Sequence, residues 1–548
     1  MMGSKETGLD AERPGSAFPR AAWERDNKIT RYTMRKKLPI GIQTFREIRE
    51  EGCYYVDKSG FALNLFENGK YYFLSRPRRF GKSLFLDTLK ELFEGNEPLF
   101  RGLYVHDKWD WSVKYPVIRI SFSDGVLKSR QELKDIIGEM LRRHQEAFGV
   151  NAESVSNAGC FAELIRQVYQ KSGRRVVILV DEYDKPILDN IESPEVASEM
   201  REGLRDIYSV IKGADAYIKF AFLTGVSKFS KVSLFSGLNN LEDITIERNF
   251  SAICGYTDED VDTVFAPELE GLDREQIRSW YNGYNWTGES VYNPFDLLLL
   301  FKNREFRSWW FETGTPTFLI KLLSERQQFT PDLAKIMATE TLLSTFDVGN
   351  IPTEALMFQT GYLTIDTVRH IPGRMELTLK YPNLEVQASL NDCLLRAMSQ
   401  DPMVPVRNVS RLYDILMAND LPALKLLFHS FYESIPTDWY RRNQLSGFEG
   451  YYASIFYSYF AALGLEIRVE DPTSHGRIDM SVRFNGHIYL FEFKVVEMVP
   501  GGKALAQIKE KGYADKYRQY GEPIHLIGVE FSRESKNIVG FDVEDCEK

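Results

Sequence analysis

The chain has 548 residues, of which 43% are hydrophobic and 13% aromatic, and its formal net charge is −10. This composition excludes wholesale disorder, and the length predicts roughly three or four folding units of about 100–200 residues each. The acidic balance counts against a protein that coats nucleic acid non-specifically, because such proteins are normally basic. Any contact with nucleic acid therefore has to be a local basic groove on an acidic body. A nuclease can meet this condition, since its carboxylates are part of the charge.

The cysteines are scattered along the chain and include no Cys-x-x-Cys pair; they are Cys53, Cys160, Cys254, Cys393 and Cys546. This usage is typical of a reduced cytosolic protein and argues against zinc fingers and disulfide frameworks. No apolar run approaches the roughly 20 residues that span a bilayer. The charged N-terminus lacks the apolar segment of a secretory signal. We therefore expect a cytoplasmic protein with no membrane partner.

Residues 1–37 are polar and charged, which predicts a flexible tail. From residue 38 to about 255, short apolar strands alternate with amphipathic helical stretches, a pattern typical of a parallel sheet covered by helices. The predicted strands are Tyr71–Leu74, Pro116–Ser121, Val176–Val180 and Ile218–Leu223. The predicted helices are Ser83–Phe93, Gln131–Phe148 and Pro194–Ile211.

Helical periodicity without strands predicts a helical lid over residues 256–345. A helix over Pro352–Tyr362 followed by a hairpin, with strands Leu363–Thr367 and Met375–Tyr381, favours a winged-helix-like unit at 346–390. An ordinary linker subdomain would give the same pattern about as often. A helical connector at 391–440 then leads to a compact α/β segment at 441–548.

A candidate phosphate-binding loop, Ser75–Ser83, follows the first predicted strand and runs directly into a helix. Strand, Gly-Lys-Ser loop and helix is the context in which such a loop is credible. Main-chain N–H groups at the helix start would cradle the phosphates, with Lys82 bridging the β- and γ-phosphates and Ser83 ligating Mg²⁺. Arg76 stands where the pattern has a glycine, and the three arginines make the loop electropositive, which suits a triphosphate. The alternative is a basic surface turn.

A second motif supplies carboxylates. The apolar run Val176–Val180 predicts a buried central strand, and Asp181 and Glu182 follow at the end where open α/β sheets bind ligands. Asp181 would hold the Mg²⁺ shell and Glu182 would deprotonate the attacking water, whereas a helix cap with a solvated neighbour is the plain alternative. Thr224 follows the next strand and would contact the γ-phosphate or make a simple turn. The residues expected to bind ATP are Arg78, Arg79, Gly81, Lys82, Ser83, Asp181 and Thr224.

The segments Phe73–Ser83 and Val180–Pro186 resemble the bacterial AAA-ATPase-like family, which is related to archaeal-ATPase and STAND-type P-loop proteins. Leu38–Gly41 and Trp280–Tyr284 are also similar to that family, so the resemblance covers roughly residues 38–300. Members of the family also carry Arg-Pro-Arg-Arg in the loop. The Trp280–Tyr284 block has no chemistry that we can derive, and we expect it to pack in the core around a turn. Two arginines are candidates for an arginine finger, and nothing in the sequence selects between them: Arg205 and Arg248.

A second constellation lies near the C-terminus. The strands Ile478–Phe484 and His487–Val495 are joined by Asn-Gly, the strongest short hairpin signal. That turn places Asp479 opposite Glu492, with Cβ atoms about 5 Å apart on one face of the sheet. Facing carboxylates repel unless a cation such as Mg²⁺ or Mn²⁺ lies between them, and Lys494 lies on the same face. Because this strand is apolar on both faces, we expect a central strand rather than an edge hairpin with a solvated ion pair.

In the predicted mechanism, Asp479 and Glu492 bind the metal, which polarises a scissile phosphate and acidifies water, while Lys494 positions that water. Glu449, on a predicted helix at 447–463, would complete the metal site, with the Phe493 carbonyl as a further candidate ligand. The predicted helix Ala504–Tyr517 offers two residues on one face for contact with phosphate: Gln507 and Lys511.

These C-terminal motifs resemble the PD-(D/E)XK nuclease domain that commonly follows this ATPase; they are Gly476–Asp479, Phe491–Lys494 and Ala506–Ile508 with Lys511, Tyr513 and Tyr517. The predicted fold is therefore α/β. It comprises a P-loop NTPase sheet with a helical lid and the winged-helix-like unit, followed by a restriction-endonuclease-like domain.

The leading functional prediction is an ATPase with a metal-dependent nuclease, in a chain that could form a homo-oligomer; DNA is the favoured substrate, and RNA is left open as the alternative. One alternative is a nucleotide-controlled signalling or DNA-binding switch without nuclease turnover. Another is a scaffold that binds nucleotide without hydrolysing it.

Overall fold

The structure is a computed structural model. It describes residues 35–228, 240–310, 319–320, 322–323, 333, 335–343, 352–399, 401–433, 449–473, 475–497, 500–532, 534–535 and 537–546; of Met398, Glu433 and 449–452 it describes only the main chain. Several sequence predictions therefore lie wholly or partly outside the described residues: the N-terminal tail, parts of the helical lid, of the winged-helix-like unit and of the connector, the start of the C-terminal segment, and the Glu449 side chain. No helix in the described ranges combines the length and the apolar character needed to cross a membrane.

The N-terminal half is built on a parallel five-stranded sheet. Its strands are β1 (Tyr71–Ser75), β2 (Val117–Ser121), β3 (Val176–Asp181), β4 (Ile218–Gly225) and β5 (Glu242–Asp243), in the order β2-β3-β4-β1-β5. Every residue of β1 and β3 is buried, because both faces of a parallel sheet are covered. The four strands predicted from the sequence all occur, with bounds within two residues of those expected. The strand β4 separates β1 from β3, so the loop after β4 lies between the two predicted ATP motifs.

Helices cover this sheet. They are α1 (Phe45–Glu50), α2 (Ser59–Asn68), α3 (Lys82–Phe93), α4 (Arg130–Phe148), α5 (Asn157–Ser172), α6 (Lys185–Leu188) and α7 (Pro194–Gly213). The side chain of Ser129 caps α4 by accepting a hydrogen bond from the Glu132 N–H, and Ser156 caps α5 in the same way. Both helices end at a left-handed glycine, as helices commonly do.

The next segment contains α8 (Asp258–Thr263), α9 (Arg274–Tyr281) and α10 (Pro294–Asn303). Two isolated bridges, Tyr256 with Tyr292 and Tyr284 with Val291, add short extended pairings that the sequence did not predict. The expected core packing of the Trp280–Tyr284 block is confirmed, since Tyr284 is buried. Gly283 is required there, because a Cβ atom at this residue would lie 1.9 Å from the Pro382 carbonyl oxygen.

A small antiparallel sheet and three long helices follow. The elements are β6 (Ile336–Thr339), α11 (Glu340–Leu343), α12 (Thr353–Thr360), β7 (Thr364–Ile371), β8 (Arg374–Lys380), α13 (Leu384–Met398), α14 (Met403–Ala418) and α15 (Leu421–Glu433). The predicted helix and hairpin occur as α12, β7 and β8, while β6 adds a third strand in the order β6-β8-β7. The winged-helix-like assignment stays a prediction.

The C-terminal segment is a mixed five-stranded sheet with two helices. The elements are α16 (Glu449–Ala462), β9 (Glu466–Thr473), β10 (Gly476–Phe484), β11 (His487–Val496), α17 (Lys503–Glu510), β12 (Ile524–Ser532) and β13 (Ile538–Cys546). The order is β13-β12-β11-β10-β9, and only β11 and β12 pair in parallel. The strand β11 is central, as its two apolar faces predicted.

The connector helices pack directly on this segment. The ring of Phe428 on α15 stacks on Phe456 of α16 at 3.7 Å between centroids, and Phe431 stacks on Tyr459 at 3.6 Å. One continuous cluster of buried apolar side chains includes residues of the N-terminal sheet, the connector helices and the C-terminal sheet. The C-terminal segment therefore shares its core with the rest of the chain.

Candidate nucleotide and nuclease sites

A cleft of about 490 Å³ opens above the loop that joins β1 to α3. Gly81, in a left-handed conformation with φ of 89°, precedes α3, and Arg79 is also left-handed with φ of 71°. Arg79 and Gly81 therefore give the loop left-handed residues, although Arg76 stands where the pattern has a glycine. The structure brings the following predicted residues together around the cleft: Arg78, Arg79, Gly81, Lys82, Ser83 and Glu182.

Arg76 does not face this cleft. Its guanidinium donates to the main-chain oxygens of Thr245 and Phe250, at 2.7 and 3.0 Å, and lies 4.0 Å from the centre of the Trp286 ring. The side chain is only 1% exposed, and burial lowers its pKa to about 10. The positive charge of Arg76 is therefore directed away from the cleft, and this residue ties the loop to the segment after β5.

Lys82 lies at the base of the cleft and is buried. Its Nζ donates to the main-chain oxygens of Arg76 and Pro77, at 3.0 and 2.9 Å. Burial lowers the Lys82 pKa, while the nearby Asp181 carboxylate opposes that shift. An ammonium group that is already desolvated and faces the loop interior is suited to exchange these carbonyls for phosphate oxygens.

The predicted Mg²⁺-shell residue, Asp181, is the last residue of β3 and is buried behind the cleft wall. Its Oδ2 lies 3.6 Å from a guanidinium nitrogen of Arg119, and its Oδ1 has no hydrogen-bond partner among the residues that the structure describes. This buried carboxylate oxygen and the Ser83 hydroxyl, which lies in the first turn of α3, are donors of the kind that fits Mg²⁺. Glu182 follows in a left-handed conformation with φ of 51°, and burial, then Asp181, raises its pKa.

Two residues that support these carboxylates were missed as functional residues. Arg119, on β2, bridges Asp181 to Asp87 of α3 with a 3.0 Å bond to Asp87. Asp184 accepts hydrogen bonds from both the N–H and the hydroxyl of Ser227, which fixes the turn after β4. Asp184 belongs to the recognised motif, so it could have been singled out. Arg119 gave no local signal, because its partners are distant in sequence.

Three other predicted residues do not line the cleft. The Thr224 hydroxyl is fully buried and has no hydrogen-bond partner in the described ranges, and its role at the γ-phosphate stays a prediction. Arg205 pairs with Glu202 on its own helix, and Arg248 begins a short 3₁₀ turn. Neither arginine lines the cleft, and the assignment of an arginine finger stays a prediction.

A buried carboxyl pair lies behind the cleft. Asp296 of α10 and Glu385 of α13 are both fully buried, and burial, then Glu385, raises the pKa of Asp296 well above its ordinary value. Glu385 accepts a 2.8 Å hydrogen bond from the Trp310 N–H, and the Trp310 indole donates to the Arg78 carbonyl at 3.2 Å. The pair therefore joins the cleft wall to the first connector helix.

At the second site, the hairpin register is the predicted one. Asn485 and Gly486 both have positive φ, of 50° and 75°, as a two-residue hairpin turn requires. The pairing of β10 with β11 runs from Phe484 opposite His487 to Met480 opposite Phe491. Asp479 is the next residue, and there the ladder changes, because the Asp479 carboxylate accepts a 2.8 Å hydrogen bond from the Phe493 N–H.

Glu492 is the most strongly perturbed carboxyl of this site. It is 1% exposed, and burial, then the charge of Asp479, raises its pKa to about 8. Its Oε1 accepts a hydrogen bond from the Gln507 amide and lies 3.4 Å from Lys494 Nζ. Within the part of the chain that the structure describes, Oε2 accepts no hydrogen bond. The orphaned oxygen beside a second carboxylate fits a divalent cation.

Other predicted parts of this site are changed by the structure. The helix α17 ends at Glu510, because Gly512 takes a left-handed conformation, so the predicted extension to Tyr517 is wrong. Lys511 consequently lies beyond the helix, and Gln507 contacts a carboxylate rather than an open surface. No group of three or more His, Cys, Asp or Glu side chains within the described ranges is arranged to hold a metal. The third protein ligand that Glu449 was expected to supply stays a prediction.

Comparisons with known proteins agree with the division of the chain into an N-terminal nucleotide-binding part and a C-terminal nuclease-like part. Residues 39–235 match the family model described as "Predicted AAA-ATPase", and residues 447–541 match that of the "PD-(D/E)XK nuclease superfamily". A curated protein of Azotobacter chroococcum mcd 1, described as "Uncharacterized protein in vnfD 5'region", is 65% identical over 511 residues, which cover 93% of this chain and 99% of that protein. No solved structure gives a significant match. The chain therefore belongs to the same family as the Azotobacter protein, and it joins a predicted AAA-ATPase domain to a domain of the PD-(D/E)XK nuclease superfamily.

Proposed function

We propose that the chain is a cytoplasmic ATPase whose C-terminal domain cleaves DNA phosphodiester bonds in a metal-dependent reaction. The observation that carries this proposal is the state of Glu492. The Glu492 carboxyl group is buried on a central strand, lies next to a second carboxylate and has one oxygen unpartnered among the described residues. Burial of such a group lowers the stability of the fold, and groups of this kind are concentrated at functional sites.

Asp479 and Glu492 would hold Mg²⁺ or Mn²⁺, which supplies a Lewis acid for the scissile phosphate and for water. Lys494 extends from the same face of β11, a quarter exposed, with its ammonium near Glu492. It would orient the attacking water and stabilise the charge that grows on the phosphate oxygens. Gln507 would hold one Glu492 oxygen and leave the other for the cation.

In the ATPase domain, Lys82 would bind the β- and γ-phosphates, with Arg78 and Arg79 lining the same cleft. Ser83 and Asp181 would hold Mg²⁺. Glu182 would accept the proton of the attacking water, and the rise in its pKa brings it closer to neutral pH, where a general base works best.

The test of the nuclease proposal is cleavage of duplex and single-stranded DNA with Mn²⁺, with RNA of the same sequence as a third substrate. We expect the wild type to cleave DNA, and Lys494→Ala to lose cleavage by two orders of magnitude or more. The matched control is Lys509→Ala, because this lysine pairs with exposed Glu544 on the neighbouring strand. Ca²⁺ should bind without supporting turnover. Cleavage that persists in EDTA, or equally in Lys494→Ala, would overturn the proposal.

A second function is favoured by one observation, namely that no third carboxylate or histidine completes a metal site among the described residues. In that case, nucleotide would control a domain that binds DNA without cutting it. The same experiment separates the two functions. If the protein is a switch, the wild type should bind DNA but should not cleave it with any divalent cation.

A further inference from the structure

The strand β12 lies beside the candidate nuclease strand and carries none of the residues that the motif names. Its parallel register with β11 aligns Gly528 with Glu492 and Glu530 with Lys494. Residues paired in this way point to the same face of a sheet, so Gly528 and Glu530 lie on the face that holds the candidate active site.

Glu530 is a buried carboxylate, 1% exposed, whose hydrogen bonds all go to main-chain N–H groups. One oxygen accepts from the Gly501 N–H at 2.6 Å. The other accepts from Lys503 and Ala504 at 2.6 and 3.3 Å. The last two are among the first N–H groups of α17, which have no partner within the helix, and a negative charge at this end of a helix is stabilising.

Gly528 lets the same helix lie directly on the sheet. A Cβ atom on Gly528 would be 2.3 Å from the Leu505 nitrogen and 2.8 Å from its Cα, so any other residue would push α17 away. Two neighbouring residues on β12 thus set the position of the helix: Gly528 sets its distance from the sheet, and Glu530 holds its first turn.

The consequence appears one turn later. Gln507 follows Lys503 by four residues, and its amide donates to the Glu492 oxygen that also faces Lys494. We propose that Glu530 is a positioning residue for the nuclease reaction, acting through Gln507 to orient the Glu492 carboxylate. This inference rests on the proposed nuclease function, and it makes β12 part of the site without adding a group that touches the substrate.

The test is a double-mutant cycle in the full chain with Glu530→Gln, Gln507→Ala and their combination. The matched control is Glu544→Gln, because the exposed Glu544 carboxylate bonds Lys509 of the same helix at 2.9 Å. Three quantities are measured: the DNA cleavage rate, the Mn²⁺ affinity by calorimetry, and hydrogen exchange of the peptide spanning 501–510. Hydrogen exchange and Mn²⁺ affinity do not depend on activity.

We expect Glu530→Gln to slow cleavage and weaken Mn²⁺ binding by about 10-fold each, the size typical for residues that orient a metal ligand. Exchange at Lys503 and Ala504 should become faster. In the Gln507→Ala background, Glu530→Gln should have no further effect on either rate or affinity, because both changes remove the same constraint. The control should match wild type.

Additive losses in rate and affinity would overturn the inference, since they would mean that Glu530 supports the fold and not Gln507. Unchanged Mn²⁺ affinity in Glu530→Gln would overturn it as well. If Glu530→Gln does not fold, Glu530→Asp replaces it, because the shorter carboxylate keeps the charge but cannot reach all three N–H groups. Should Glu492→Ala cleave DNA normally, the proposed function fails, whereas the Mn²⁺ and exchange measurements still judge the role of Glu530.

Discussion

Binding of Mn²⁺ to the C-terminal site should expel a proton, and the amount can be calculated from the structure. Glu492 has a pKa of about 8, so at pH 7 roughly nine-tenths of the molecules carry a proton on this carboxyl group. A cation binds only the ionised form. We therefore expect about 0.9 proton released per Mn²⁺ at pH 7, and about 0.2 at pH 8.5.

The assay is calorimetric titration of Mn²⁺ into the full chain, in pairs of buffers that differ in ionisation enthalpy. Because the ATPase cleft can also take Mn²⁺, the quantity compared is the difference between wild type and Glu492→Gln. Asp479→Asn removes the second cause of the raised pKa, so the proton release that remains at pH 7 should be smaller per bound ion. A release that does not change between pH 7 and pH 8.5, or that persists in Glu492→Gln, would refute the reasoning.

The same shift predicts a pH dependence of stability without metal. The pKa of Glu492 is higher in the folded state than in the unfolded state, so the folded state binds the proton more tightly. This preference contributes its full stability below pH 4.5, the ordinary pKa, and the contribution is lost as the pH rises towards 8. At pH 7 the loss amounts to about 3 kcal/mol, at about 1.4 kcal/mol per unit. Glu492→Gln should therefore resist urea better than wild type at pH 8, and differ least from it near pH 4.5.

Three further predictions concern the ATPase half. Lys82→Ala should abolish ATP binding, whereas Glu182→Gln should bind ATP and fail to hydrolyse it, as measured by nucleotide affinity and phosphate release. Arg76→Ala should destabilise the N-terminal half by about 3–5 kcal/mol in urea, because several buried carbonyl oxygens lose their donor; Arg78→Ala should weaken ATP binding instead. Asp296→Asn should lose less melting temperature than the wild type as the pH rises above 3.8, the ordinary pKa of this carboxyl group, because the raised pKa of Asp296 makes the wild type lose stability in that direction.

Each of these has an outcome that contradicts it. Hydrolysis at the wild-type rate in Glu182→Gln would remove this residue as the base. Equal urea midpoints for Arg76→Ala and Arg78→Ala would mean that the buried guanidinium contributes nothing to the fold. Equal losses of melting temperature in Asp296→Asn and in the wild type as the pH rises would mean that the Asp296 carboxyl group does not have the raised pKa that its burial beside Glu385 predicts.

Much of the fold could be predicted from local sequence patterns. The Asn-Gly turn determined the register of β10 and β11, because a two-residue loop leaves one pairing, and the apolar run before Asp181 marked a central strand. Contacts between residues far apart in the sequence could not be predicted in this way. The inward turn of Arg76 depends on carbonyls about 170 residues away, and the anchoring of α17 depends on Glu530, some 26 residues downstream.

The candidate nuclease site shows the same division. Asp479, Glu492 and Lys494 were identifiable because strand alternation places them on one face. The end of α17 was not, since Gly512 interrupts a helical pattern that continues in the sequence up to Tyr517. The role of Gln507 changed accordingly, from a phosphate contact to a carboxylate contact, because only the packed structure shows which surface the helix covers.

The aromatic stack between α15 and α16 limits how this protein can be divided. A fragment cut at the start of the matched nuclease segment, residue 447, would keep Phe456 and Tyr459 but lose the rings of Phe428 and Phe431 that cover them. An exposed aromatic face of this kind promotes aggregation. The nuclease segment should therefore not be separated at residue 447: in gene fusions, limited proteolysis or domain exchange, the smallest piece expected to remain soluble begins upstream of α15 and includes that helix.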